Sequence, residues 1–103
     1  MHAIPAIESL RDIEQIEQTP LAARDLPAST FELIRRSAAR HGDAPALSFI
    51  LQGNADEAAY RLSYNELRGK ITQTANAFHR LGLRPGKAVS FLLPNLPQTH
   101  FTI

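Results

Sequence analysis

The stretch that most constrains the fold runs from Ser63 to Asn95, SYNELRGKITQTANAFHRLGLRPGKAVSFLLPN, because it prescribes a helix, a turn and a strand in that order. Ser63 and Glu66 have the S-x-x-E spacing of a capping box. The serine hydroxyl accepts the third helical N–H and the glutamate reaches back to the serine N–H. Tyr64, Leu67, Ile71, Ala75, Phe78 and Leu81 then follow in steps of three and four, which places them on one stripe of a helix. Glu66, Lys70, Gln73, Asn76 and Arg80 fall mostly on the water side. Gly82 stands where a left-handed residue closes a helix, with the cation Arg80 in the last turn. Pro85-Gly86 suits a tight turn, proline fixing φ and glycine allowing positive φ after it. Ala88 to Leu93 is nearly all apolar, the pattern of a strand covered on both faces in a parallel sheet. A helix feeding an interior strand of an α/β fold is predicted.

The upstream chain adds a helix and a hairpin. Ser29 and Glu32 repeat the capping spacing and open a helix through His41, with Phe31, Ile34 and Ala38 on its buried face and Arg35, Arg36 and Arg40 solvated. Gly42 and the Asp43-Ala-Pro45 sequence stop it. Ala46–Leu51 and Ala58–Leu62 read as strands about the polar segment 52–57, an antiparallel hairpin. The Ser63 helix then crosses over to the strand at 88, giving a right-handed parallel β-α-β unit. Before all this, Ile7, Leu10, Ile13 and Ile16 mark a short amphipathic helix within residues 6–18, with no strong cap, and Pro20–Pro27 is a linker. The boundaries are therefore 1–28 for helix and linker and 29–103 for the α/β segment. After the strand, Asn95 is placed as the N-cap of a last helix that Gln98–Ile103 only begins. A buried parallel strand needs neighbours on both edges, and few elements remain to supply them. The expectation is a chain cut in mid-fold.

Composition excludes more than it suggests. Lys plus Arg is 11 and Asp plus Glu is 10, net +1, so no field attracts nucleic acid or an anionic membrane. There is no cysteine, which removes disulfides, thiolate nucleophiles and zinc–thiolate sites. The N-terminal residues lack a basic stretch followed by an apolar run, so no secretory signal is read there. No stretch approaches a membrane span. A cytoplasmic domain is the default expectation.

The search for chemistry ends without a site. Glycines 42, 53, 69, 82 and 86 match no phosphate-cradling spacing. His2, His41, His79 and His100 are scattered, without the i, i+4 pairing of a metal site. His79 is read as a polar residue on the surface near the end of the long helix, and His41 as a helix C-terminal residue facing the dipole. The arginines at 35, 36 and 40 read as a solvated face rather than an anion site. Asp56-Glu57 is a loop pair, and no serine stands in a G-x-S-x-G elbow. Catalytic, cofactor-binding and metal residues are each assigned to none.

The same residues carry a resemblance. S-Y-N-E-L-R-G-K-I, A-N-A-F-H-R-L-G-L-R-P-G-K-A-V and F-L-L-P-N-L-P-Q-T-H-F, with F-E-L-I-R-R-S-A-A-R-H-G-D-A-P-A-L-S-F upstream, resemble the N-terminal signature of adenylate-forming enzymes. The resemblance covers Ser29–Ile103, and the wording around residues 91–101 is closer to fatty-acyl-CoA synthetases than to peptide-synthetase adenylation domains. Lys87 departs from it, standing where the family usually has aspartate. The resemblance implies an α/β fold: an incomplete piece, made of helices, a β-hairpin and a β-α-β unit, of the large N-terminal domain of such an enzyme. It implies a parent that uses ATP, Mg and CoA to convert a carboxylic acid, of fatty type, to acyl-AMP and then acyl-CoA. The motifs that do this chemistry are absent from these residues, so the segment is expected to be an inactive scaffold whose partner is the remainder of the parent chain. Two other readings stand beside it. One is a free-standing module that forms a homodimer or binds a partner through exposed strand edges. The other is part of a ligase or adenylation domain that passes its adenylate to a carrier protein.

Overall fold

The computed structural model describes residues 6–103, so His2 lies outside the described residues. The chain forms helix α1 (Leu10–Glu17), a single 3-10 turn (Leu21–Ala23), helix α2 (Thr30–His41), strands β1 (Pro45–Phe49) and β2 (Tyr60–Ser63), and helices α3 (Tyr64–Arg80) and α4 (Pro97–Thr102). The result is a partial α/β piece whose sheet has two strands.

Helix α1 is shorter than the periodicity suggested and better capped. The Asp12 carboxylate accepts from the Ser9 hydroxyl and N–H, each at 2.8 Å, and from the Glu8 N–H at 3.1 Å. These bonds, the Ser9 hydroxyl foremost, hold Asp12 below the usual carboxylate range. An acid at the third helical position does the work usually assigned to glutamate. At the other end Arg24 donates to the Ile16 carbonyl (2.7 Å) and the Thr19 carbonyl (3.1 Å), tying the linker to the helix.

Helix α2 opens on Ser29, whose hydroxyl accepts the Glu32 N–H at 3.1 Å. The return bond goes one residue further than a capping box, from the Ala28 N–H to Glu32 at 2.7 Å. Arg36 is corrected from solvated to anchored. It donates to Glu32 at 2.8 Å and 3.0 Å and to the Asp25 side chain at 3.0 Å, clamping the linker against the helix. Phe31, expected to be covered, is 47% exposed.

The hairpin is antiparallel, with Leu47 opposite Leu62 and Phe49 opposite Tyr60, and an irregularity between Pro45 and Leu47. Pro45 sits at the first strand position, where its missing N–H costs least. The tip is closed by Glu57, which accepts from the N–H groups of Leu51 (2.7 Å), Gln52 (2.8 Å) and Gly53 (3.0 Å). At the base, the first N–H groups of α3 find carbonyls beyond the end of α2: Tyr64 donates to Ala44 (3.1 Å) and Asn65 to Gly42 (3.0 Å). Two donors that a helix start ordinarily leaves open are thereby satisfied.

Helix α3 has the predicted capping box, with the Ser63 hydroxyl accepting the Glu66 N–H at 3.2 Å and Glu66 accepting the Ser63 N–H at 2.8 Å. It closes in a Schellman arrangement. Leu83 N–H reaches the Phe78 carbonyl (3.0 Å) and Gly82 N–H the His79 carbonyl (3.1 Å), with Gly82 at φ 90°. Within the apolar stripe Leu67 is buried, whereas Ala75 and Leu81 are exposed. The turn at Pro85-Gly86 is formed, with Lys87 N–H bonded to the Arg84 carbonyl at 3.0 Å.

The strand predicted at 88–93 is not a strand, and the β-α-β unit is not completed among the described residues. A strand exists through its ladder, and among the described residues the sheet consists of β1 paired with β2 alone, so this segment has no ladder partner. Leu92 is 99% exposed, and Val89 and Phe91 are exposed as well. Asn95 is likewise corrected: the N-cap of α4 is Leu96, extended at φ −129°, and Pro97 follows in the first turn. Proline favours that helical position and pushes the residue before it into extended backbone. Among the described residues the buried apolar side chains are few: Ala38, Leu62 and Leu67, with Pro97 at the start of α4. The radius of gyration is 18.1 Å, against about 13 Å for a packed domain of this length. The segment exposes apolar surface that a complete domain would bury.

Candidate functional site

One concave feature among the described residues is a groove of about 220 Å³ among α2, α3 and α4. Phe31 and Ile34 come from α2, Leu67 and Ile71 from α3, and Phe101 and Ile103 from the end of the chain, with Thr30 and His100 as its polar members. The spacing of 31 to 34 and of 67 to 71 puts each pair on one helix face. Sequence reading began a last helix at Gln98–Ile103 without giving it a packing partner; α4 brings His100 and Phe101 to this groove.

The other singled-out residues are not brought together. His41 packs its ring against Tyr64, with centroids 5.5 Å apart and planes tilted by 41°. His79 lies in the last turn of α3 and His100 on α4. Among the described residues no group of three metal-ligating side chains converges. Arg35 and Arg40 are exposed, Arg35 standing 3.9 Å from Glu32, while Arg36 is committed to its two acids. Its pairing with Glu32 raises the guanidinium pKa further. Glu32 itself is held below the usual carboxylate range, first by the Ala28 N–H and then by Arg36.

A phosphate cradle needs converging N–H donors that are free. The successive N–H groups of Leu51, Gln52 and Gly53 form such a run, but Glu57 fills it. Burial pushes the Glu57 carboxyl up, and the N–H groups of Gln52, Leu51, Asn54 and Gly53 overcome that and hold it low. Its carboxylate therefore remains the occupant at neutral pH. These residues do not fit a nucleotide triphosphate and its metal ion. No helix among them is long and apolar enough to cross a membrane.

The comparisons with known proteins bear on the whole arrangement. The family model described as AMP-binding enzyme matches residues 34–103, from α2 through the hairpin, α3 and the apolar segment to α4. The marinolic acid–CoA ligase of Pseudoalteromonas sp. (strain SANK 73390) is 32% identical over 95 residues, covering 92% of this chain and 14% of that protein. The acetoacetyl-coenzyme A synthetase of Rhizobium meliloti (strain 1021) is 30% identical over 79 residues, 77% of this chain and 12% of that protein. The crotonobetaine/carnitine–CoA ligase of Salmonella paratyphi A (strain ATCC 9150 / SARB42) is 38% identical over 61 residues, 59% of this chain and 11% of that protein. No solved structure matches. The chain thus spans about a seventh or less of the curated relatives it matches. A match that runs through every element from α2 onward has one consequence: the chain belongs to the AMP-binding enzyme family, whose relatives here are CoA ligases and synthetases.

Proposed function

We propose that residues 29–103 are a scaffold segment in the N-terminal, adenylate-forming domain of an acid–CoA ligase that works in the cytoplasm. In the parent reaction a carboxylate oxygen attacks the α-phosphorus of ATP and expels pyrophosphate, and the CoA thiol then attacks the acyl carbon and expels AMP. Mg and the groups that position ATP and CoA belong to the parent outside these residues. The substrate class we assign is a fatty acid. The relatives' names support carboxylic acids joined to CoA, and the wording of residues 91–101 supports the fatty type.

The observation that carries this reading is the family match over residues 34–103, joined to a fold that leaves its apolar segment at 88–93 uncovered. The segment alone is inactive, because the family's phosphate- and CoA-binding motifs are not among its residues and the run of backbone donors at Leu51–Gly53 is occupied by Glu57. The test is an assay of AMP and acyl-CoA formation from ATP, CoA and fatty acids of graded length. A longer protein containing this segment should form both products, and the 103-residue chain neither. AMP released by the chain alone would refute the scaffold reading. A longer protein that charges a carrier protein but not free CoA would move the assignment to the carrier-dependent ligases.

A further inference from the structure

We draw no further inference here: the strongest candidate, the run of backbone N–H donors of Leu51, Gln52 and Gly53 at the hairpin tip, is filled by the chain's own Glu57 carboxylate, and nothing in the structure shows a ligand that takes its place.

Discussion

Gly69 within helix α3 and Gly82 just beyond its end should respond to the same substitution with opposite signs. Gly69 lies in the helix interior, and a Cβ added there meets no heavy atom within 4 Å. Gly69→Ala therefore adds helix propensity without a clash and should stabilise by about 1 kcal/mol. Gly82 is equally open, with nothing within 4 Å of an added Cβ, but its φ is 90°. Its substitution by alanine meets only backbone cost, about 1–2 kcal/mol for a left-handed residue, offset by about 0.4–1 kcal/mol from the less flexible unfolded chain. A net loss of about 1 kcal/mol remains, the difference of those two terms. The assay is thermal and urea unfolding of both variants followed by far-ultraviolet circular dichroism. The melting temperatures should move apart from the parent chain's by about 4–8 °C in opposite directions if unfolding is cooperative. Destabilisation by Gly69→Ala would mean that this face of α3 is packed, and an unchanged Gly82→Ala would refute the Schellman closure.

Other substitutions follow from the caps and the exposures. Ser63→Ala removes the acceptor for the Glu66 N–H and should cost about 1 kcal/mol of helix stability, read as lost helical dichroism on mild heating. Leu62, 4% exposed, should cost about 2–4 kcal/mol when cut to alanine. Leu92→Lys, at a 99% exposed site, should stay within about 0.5 kcal/mol, and a large loss there on urea unfolding would show that the segment at 88–93 is packed after all. Acidification should unfold the helix starts. Glu66 is held low by the Ser63 N–H and hydroxyl, Asp12 chiefly by the Ser9 hydroxyl, and Glu32 chiefly by the Ala28 N–H. A depressed folded pKa means that stability is complete above the ordinary carboxylate range, near pH 4, and is lost as pH falls through the folded values. Helical dichroism that holds steady or rises on acidification would contradict these cap assignments.

The local elements were legible because their signals are local. Ser63, Glu66 and Gly82 fixed both ends of α3, and Ser29 with Gly42 did the same for α2. The hairpin followed from two short apolar runs about a polar segment, although its strands lie a residue or two from the positions read. Most of what failed depended on partners distant in sequence. Residues 88–93 have the composition of a covered strand, but a composition cannot supply the neighbouring strand that makes the ladder. Arg36 read as solvated because nothing in its own helix announces Asp25, eleven residues earlier. Asn95 lost the cap to Leu96 because proline's rigid φ outweighed asparagine's side-chain preference. The groove was illegible for the same reason as the strand: its walls come from residues near 31, 67 and 101, which only folding brings together. The family, by contrast, was legible without any catalytic residue, from the wording of the motifs within residues 29–103.

The bonds that join the start of α3 to the turn after α2 separate the hairpin tip from the helices. Gly42 and Ala44 hold Asn65 and Tyr64 across the hairpin's base, while Glu57 gathers the tip independently. Two knots in one thread leave the length between them free. Residues 50–59 can therefore lengthen at small entropic cost, since doubling a loop adds only about 0.6 kcal/mol, and the angle between α2 and α3 would not register the change. Within this fold the hairpin tip is the place where a tag, a reporter or a whole inserted domain can be carried without disturbing the frame beneath it.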